Sequence, residues 1–328
     1  MIKRVRWLLA CGGLLVGADR ARAAEPEPSA ARQALERGLT FVKVDAEKWR
    51  KDRKCATCHH GVMTVWTLGE AKRLGHDVDP AALDESAKWT RAQFVPKLDK
   101  PRNVEMGGDY NGVVSLAGMN LLIMDRVVPG LNALPAADRE KALAHVPRFR
   151  ESDGRWSWSS APAKNTPPPV FESDEVATLQ ACLALGTTEA PTADWLSGHR
   201  SPTSTQALAL RLLLAVQSNS TPAEVEAASG RIYERQQADG GWGQDADLPS
   251  DAYATGQALY FLSLAGARPE RTEIQRGVAF LVARQRENGS WPMASRGHPG
   301  VKPMTNPVPI TYFGSAWATL GLLRSVPK

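Results

Sequence analysis

Two segments of the chain repeat one another: GRIYERQQADGGWG, residues 230–243, and RGVAFLVARQRENGSW, residues 276–291. Each places a Gln or an Arg-Gln pair near a helix end, then a polar residue, a Gly, one residue and a Trp. A helix that stops at a glycine able to take positive φ, with the Trp folded back over the helix end, accounts for this order. A weaker copy, FRESDGRWSW at 149–158, keeps Gly154 and Trp156 at the same spacing. Trp156, Trp195, Trp242 and Trp291 follow one another at intervals of 39, 47 and 49 residues, room for two helices and their loops per period.

Within each period one segment is apolar nearly all round: DEVATLQACLALG from Asp174, STQALALRLLLAVQ from Ser204, DAYATGQALYFLSLAG from Asp251 and TYFGSAWATLGLL from Thr311. A helix of this kind must be buried on every side. The segments between, such as PAEVEAASGRIYERQQ and RTEIQRGVAFLVARQ, are amphipathic and present a charged face to solvent. Six outer helices are expected to begin near Ala30, Asp79, Pro135, Pro191, Pro222 and Pro269, and six inner ones near Cys58, Gly108, Asp174, Ser204, Asp251 and Thr311. The alternation predicts an all-α fold, a closed double-layered (α/α)6 toroid. With no run of period-two alternation bounded by turns, no sheet is expected.

The Gln-to-Gly-x-Trp repeats resemble those of squalene–hopene cyclases and protein prenyltransferases, which implies their toroid of alternating inner and outer helices over residues 30–325. The chemistry of those families does not follow. The cyclases' Asp-x-Asp-Asp acid string has as its nearest counterparts Asp77-Val78-Asp79-Pro80 and Asp245-Ala246-Asp247-Leu248, both of which lack the last Asp and read as solvated loop acids. The prenyltransferases' zinc-binding Asp-x-Cys-Tyr corresponds to Asp251-Ala252-Tyr253, without the cysteine. A two-barrel cyclase is also about twice as long. What the resemblance leaves is a barrel cavity for a small apolar ligand.

The first residues read as an export signal: basic Lys3, Arg4 and Arg6, an apolar run from Trp7 to Ala18, and Ala21-Arg22-Ala23 as a small-x-small cleavage site. That run is shorter than the roughly 20 residues that cross a bilayer. The expected organisation is a signal peptide over 1–23 and a single toroid domain over 24–328, with no transmembrane helix left after cleavage. Lipidation at Cys11 is a rival with few apolar residues ahead of it. Residues 1–23 hold five basic side chains against Asp19, so the net charge of +5 falls to about +1 in the mature chain. No basic face for nucleic acid is implied. Cys182, within an apolar run, reads as a buried small hydrophobe.

Cys55 and Cys58 remain, in RKCATCHHGVMTVW, residues 53–66. In an exported chain Cys-x-x-Cys-His is the attachment signature of c-type haem: Cys55 and Cys58 anchor the porphyrin through thioethers and His59 reaches the iron as proximal ligand. Zinc held by Cys55, Cys58, His59 and His60, a redox dithiol and a structural disulfide stay open as alternatives. Zinc lacks a second spaced pair, and the dithiol lacks a βαβ setting. By repeat register, His59 stands where Asp251 and Thr311 stand, at the start of an inner helix on the rim of the barrel.

An iron there needs a sixth ligand or an open position. The loops leading into the neighbouring inner helices, PRNVEMGGDYN and PMASRGHPGVKPMTNPVP, carry Met106, Met293, His298 and Met304. His298 is expected as the distal ligand, then Met304, Met106 and Met293. His60 is expected at the second shell or the surface; Met63 and Trp66 are candidate haem contacts; His76, His145 and His199 have no catalytic role. The functional expectation is one covalent haem c in an exported, periplasmic or extracytoplasmic protein that transfers electrons to a redox partner. A haem oxidoreductase acting on a small apolar ligand and a non-haem scaffold are the alternatives.

Overall fold

The computed structural model describes residues 28–53, 59–98, 109–157, 172–201, 203–293, 295–296 and 307–327. In chain order these form α1 (Pro28–Asp52), α2 (Val62–Arg73), α3 (Pro80–Phe94), α4 (Asp109–Val127), α5 (Ala136–His145), α6 (Asp174–Leu185), α7 (Ala190–Gly198), α8 (Thr205–Gln217), α9 (Pro222–Tyr233), α10 (Ala252–Leu264), α11 (Thr272–Arg284) and α12 (Pro307–Ser325). The even-numbered helices are the apolar segments of the sequence. In α10 every residue from Ala252 to Leu262 is buried, as a helix without a polar face requires.

Those six pack in a closed ring: α2 on α4, α4 on α6, α6 on α8, α8 on α10, α10 on α12 and α12 back on α2. The odd-numbered helices form the outer layer. Here α3 rests on α2 and α4, α5 on α4, α7 on α6, α9 on α8, and α11 on α10 and α12, while α1 closes the layer against α2, α11 and α12. The fold is an all-α (α/α)6 toroid with its core between the layers and along the ring. The inner ring is tightest between α10 and α12, where a Cβ on Gly256 would lie 2.3 Å from the Trp317 backbone.

The Gly-x-Trp turns behave alike in three copies. Gly240 and Gly289 take φ of 88° and 83°, as the chain reversal after the outer helix demands. The following indole N–H donates to a carbonyl ten residues back: Trp156 to Val146 (2.8 Å), Trp242 to Ile232 (2.7 Å) and Trp291 to Leu281 (2.7 Å). The repeat glutamines fasten neighbouring outer helices. The Gln236 amide donates to Gly240 and Glu273 carbonyls, and that of Gln285 to Gly289 and Ala34, joining the last outer helix to the first.

Some details differ from the sequence reading. Trp195 lies inside α7, stacked on His199, and is not a fourth turn. A two-residue ribbon, β1 (Trp242–Gly243) with β2 (Ser250–Asp251), pins one turn where no strand was expected. α12 begins four residues before Thr311 and α11 three after Pro269, since Pro307 and Thr272 open the helices there. Among the described residues no helix is long and apolar enough to cross a membrane.

Candidate functional site

The end of α1, the start of α2 and the first turns of α12 meet around two adjacent histidines. His59 and His60 directly precede α2, and the Met63 N–H donates to the His59 carbonyl at 2.9 Å. Val42, Asp45 and Trp49 recur at helical spacing, so α1 turns all three to the same side. The His60 ring is stacked between Trp49 (centroids 4.3 Å, interplanar 6°) and Tyr312 of α12 (3.8 Å, 22°). Tyr312 is itself fixed: its hydroxyl donates to the Val42 carbonyl at 3.1 Å and meets Thr64 Oγ1 at 2.5 Å.

The hydrogen bonds of this pair order its protons. Asp45 Oδ2 lies 2.9 Å from His60 Nε2, and a carboxylate only accepts, so Nε2 carries the hydrogen. Burial lowers the His60 pKa against the pull of Asp45, so the neutral ring has an acceptor at Nδ1. His59 Nδ1, 2.5 Å away, must donate to it. The His59 lone pair is therefore on Nε2. His59 is also buried, and desolvation followed by the neighbouring His60 pushes its pKa down to about 3, which keeps it neutral at physiological pH. A neutral imidazole with one nitrogen tied to a carboxylate-anchored partner and the other free is the arrangement of a metal-bound histidine.

Of the residues singled out from sequence, Cys55, Cys58, Met106, His298 and Met304 lie outside the described residues. His59 sits at the start of the first inner helix. His60 is buried and is the direct partner of His59, so the surface placement allowed for it does not hold. Met293 is buried against α12, where a Cβ on Gly314 would come within 2.5 Å of its sulfur. Trp66 belongs to the ring interior, its indole N–H donating to the Tyr260 hydroxyl at 3.0 Å. His145 is buried with Nδ1 2.9 Å from the Leu98 carbonyl. Among the described residues no three His, Cys, Asp or Glu side chains form a metal-binding group.

The acids compared with the cyclase and prenyltransferase strings hold backbone. Asp79 caps α3 through the Ala81 N–H (2.9 Å), and Asp251 caps α10 through Ala254 (2.8 Å). Beside Asp251 is a polar cluster that sequence reading missed. The Glu172 carboxylate accepts from Ser204 and pairs with Arg296 at 3.0 Å with its side chain almost wholly out of solvent, while Arg296 Nε donates to Gln244, whose amide donates to Asp251 at 2.6 Å. Burial raises the Glu172 pKa to about 7 against Arg296 and Ser204. Only the pairing of segments far apart in sequence brings these groups together, and no local pattern announces it.

The Squalene-hopene cyclase C-terminal domain matches residues 204–305. No match is found among curated proteins. Among solved structures, a variant of the type II terpene cyclase MstE from Scytonema, in complex with geranylgeranyl dihydroxybenzoate, superposes with a TM-score of 0.61 at 13% identity, covering 93% of this chain and 99% of that one. A protein from Actinoplanes gives 0.56 at 15% identity, over 90% and 100%. An unsaturated glucuronyl hydrolase variant from Streptococcus agalactiae gives 0.50 at 11% identity, over 94% and 95%. At these identities the likeness is one of fold: an α/α toroid over nearly the whole of each chain.

Proposed function

We propose that the chain is an exported c-type haem protein whose iron exchanges electrons with a redox partner protein. The observation that carries this reading is the Asp45–His60–His59 chain, which directs the lone pair of His59 to Nε2 in the residue immediately after Cys58. Thioethers from Cys55 and Cys58 would hold the porphyrin, and His59 would bind the iron on one face. The bound haem supplies one-electron redox chemistry; the protein orients the histidine and excludes water from its Nδ1 side. His298 is proposed for the other face, with Met304 and then Met106 as the alternatives.

Cyclisation of a polyprenyl chain such as the one in the MstE complex is not proposed, because both candidate acid strings lack the final Asp and Asp79 is spent as a helix cap. Intact-mass measurement of protein made with the cytochrome c maturation machinery tests the proposal. One haem added per chain is expected, and none in the Cys55→Ser/Cys58→Ser double variant. An unmodified native chain would overturn the reading and favour zinc or a dithiol. For the distal face, His298→Ala is expected to change the visible spectrum; unchanged bands would transfer the assignment to a methionine.

A further inference from the structure

Exposed apolar side chains of this protein gather at one corner. Among the described residues the large hydrophobic side chains open to solvent are Val44 of α1 and Val308 at the start of α12. Val308 lines a groove of about 280 Å³ together with Asp45, Lys48, Trp49, Asp52 and Arg53, at the end of α1. Val44 stands one helical turn before Lys48. Exposed valines scattered singly are ordinary, but these two border the same groove.

The groove adjoins the histidine pair through one side chain. The Trp49 indole that lines it is stacked on His60 and meets the His59 ring edge-on, with centroids 5.1 Å apart at 82°. Charge around the groove is uneven. Residues 43–53 carry Lys43, Lys48, Arg50, Lys51 and Arg53 against Asp45, Glu47 and Asp52. Asp45 is engaged by His60, and Arg50 is paired with Glu85 at 3.1 Å. What remains is four exposed cations against exposed Asp52 and half-exposed Glu47, in a chain whose residues 24–328 together carry only about +1.

We propose that this corner is the docking surface for an acidic redox protein. The inference rests on the haem reading for the electron and adds the character of the partner: carboxylates surrounding a small apolar centre. Val44, Val308 and the edge of Trp49 would meet that centre, and the lysines and Arg53 its carboxylates, which steers encounter and fixes orientation. One electron passes from the reduced centre of the partner to ferric iron, leaving the partner oxidised and the iron ferrous, with no bond or proton exchanged. Two valines and an indole edge fall short of the about 1,200 Å² or more of a stable interface and suit a transient electron-transfer encounter. A symmetric dimer through this corner would also set cation against cation.

Stopped-flow reduction of the full haem-loaded chain by a reduced plant-type [2Fe–2S] ferredoxin, an acidic one-electron donor, tests the proposal. The second-order rate constant should fall as salt rises. Lys48→Glu and Val308→Asp should each lower it by about fivefold or more at low salt, with visible spectrum and reduction potential unchanged. Arg231→Glu, the same charge reversal on the exposed side of α9, should stay within about twofold of wild type. Equal slowing by Lys48→Glu and Arg231→Glu would reduce the effect to net charge and overturn the proposal. So would a rate indifferent to both Lys48→Glu and Val308→Asp. Intact mass of the same sample separates the two readings. A chain without haem defeats the haem reading, and calorimetric binding of oxidised ferredoxin to that chain, weakened by Lys48→Glu but not by Arg231→Glu, would still support the docking surface; no binding would overturn it.

Discussion

His59 and His60 are chemically identical neighbours with different duties, and the difference comes from what each ring nitrogen meets. Asp45 anchors His60, and His60 orders the proton on His59. In the proposed haem-bound form, Asp45→Asn would remove the negative end of this chain, make His59 a weaker donor to iron and raise the reduction potential by roughly tens of millivolts. Potentiometric titration measures it, and an unchanged potential would deny the relay any hold on the iron. Glu172 gives a second residue-scale prediction. Its pKa is raised to about 7, so the folded chain holds this proton more tightly than the unfolded one, and the resulting stabilisation is full below about pH 4.5 and lost as pH rises through 7. The advantage of wild type over Glu172→Gln should therefore shrink between pH 4.5 and 8, by up to roughly 3 kcal/mol. Melting curves that differ equally at both pH values would contradict this. The string Cys-x-x-Cys-His singled out His59 in the sequence. The role of His60 was not legible there, because its partners come from Asp45 fifteen residues earlier and from Tyr312 near the far end of the chain.

At the scale of elements, the Gly-x-Trp turn is the unit that repeats, and it was legible because its chemistry is local: a positive-φ glycine, an indole reaching ten residues back and a glutamine spanning the turn. Trp195 carried the same period without the glycine two residues before it, and lies inside a helix. Helix starts were less legible where two polar or proline residues could each open the helix, as before α11 and α12. The turn has a mutational signature. Gly289→Ala would bring a Cβ to 2.2 Å from the Arg37 carbonyl oxygen at φ 83°, whereas Gly130, at φ 81°, has nothing within 4 Å of the added atom. Both substitutions carry the left-handed backbone cost of about 1 kcal/mol, and Gly289→Ala adds the clash, for roughly 2 kcal/mol or more. Thermal denaturation should show the larger fall for Gly289→Ala; equal falls would mean that α1 simply moves aside.

At the scale of the molecule, six apolar and six amphipathic segments sufficed to anticipate the toroid, since a helix with no polar face has nowhere to go but an inner ring. The character of the interior was less accessible. A lone Gln in an apolar helix could face the outer layer, a neighbour or the axis, and only the packing of α6 on α4 brings Gln180 to Asn120 at 3.5 Å. The closed ring also gives the histidine pair its setting, because α1 and α12 meet beside the start of α2 only when the last outer and inner helices return to the first. On that frame the account stands or falls with covalent haem at Cys55 and Cys58. A pyridine haemochrome spectrum of the denatured, acid-acetone-extracted protein tests it most directly. The account predicts that haem stays with the chain and shows the bands of a porphyrin with both vinyl groups saturated. Extraction of all the haem, or none to extract, would contradict it.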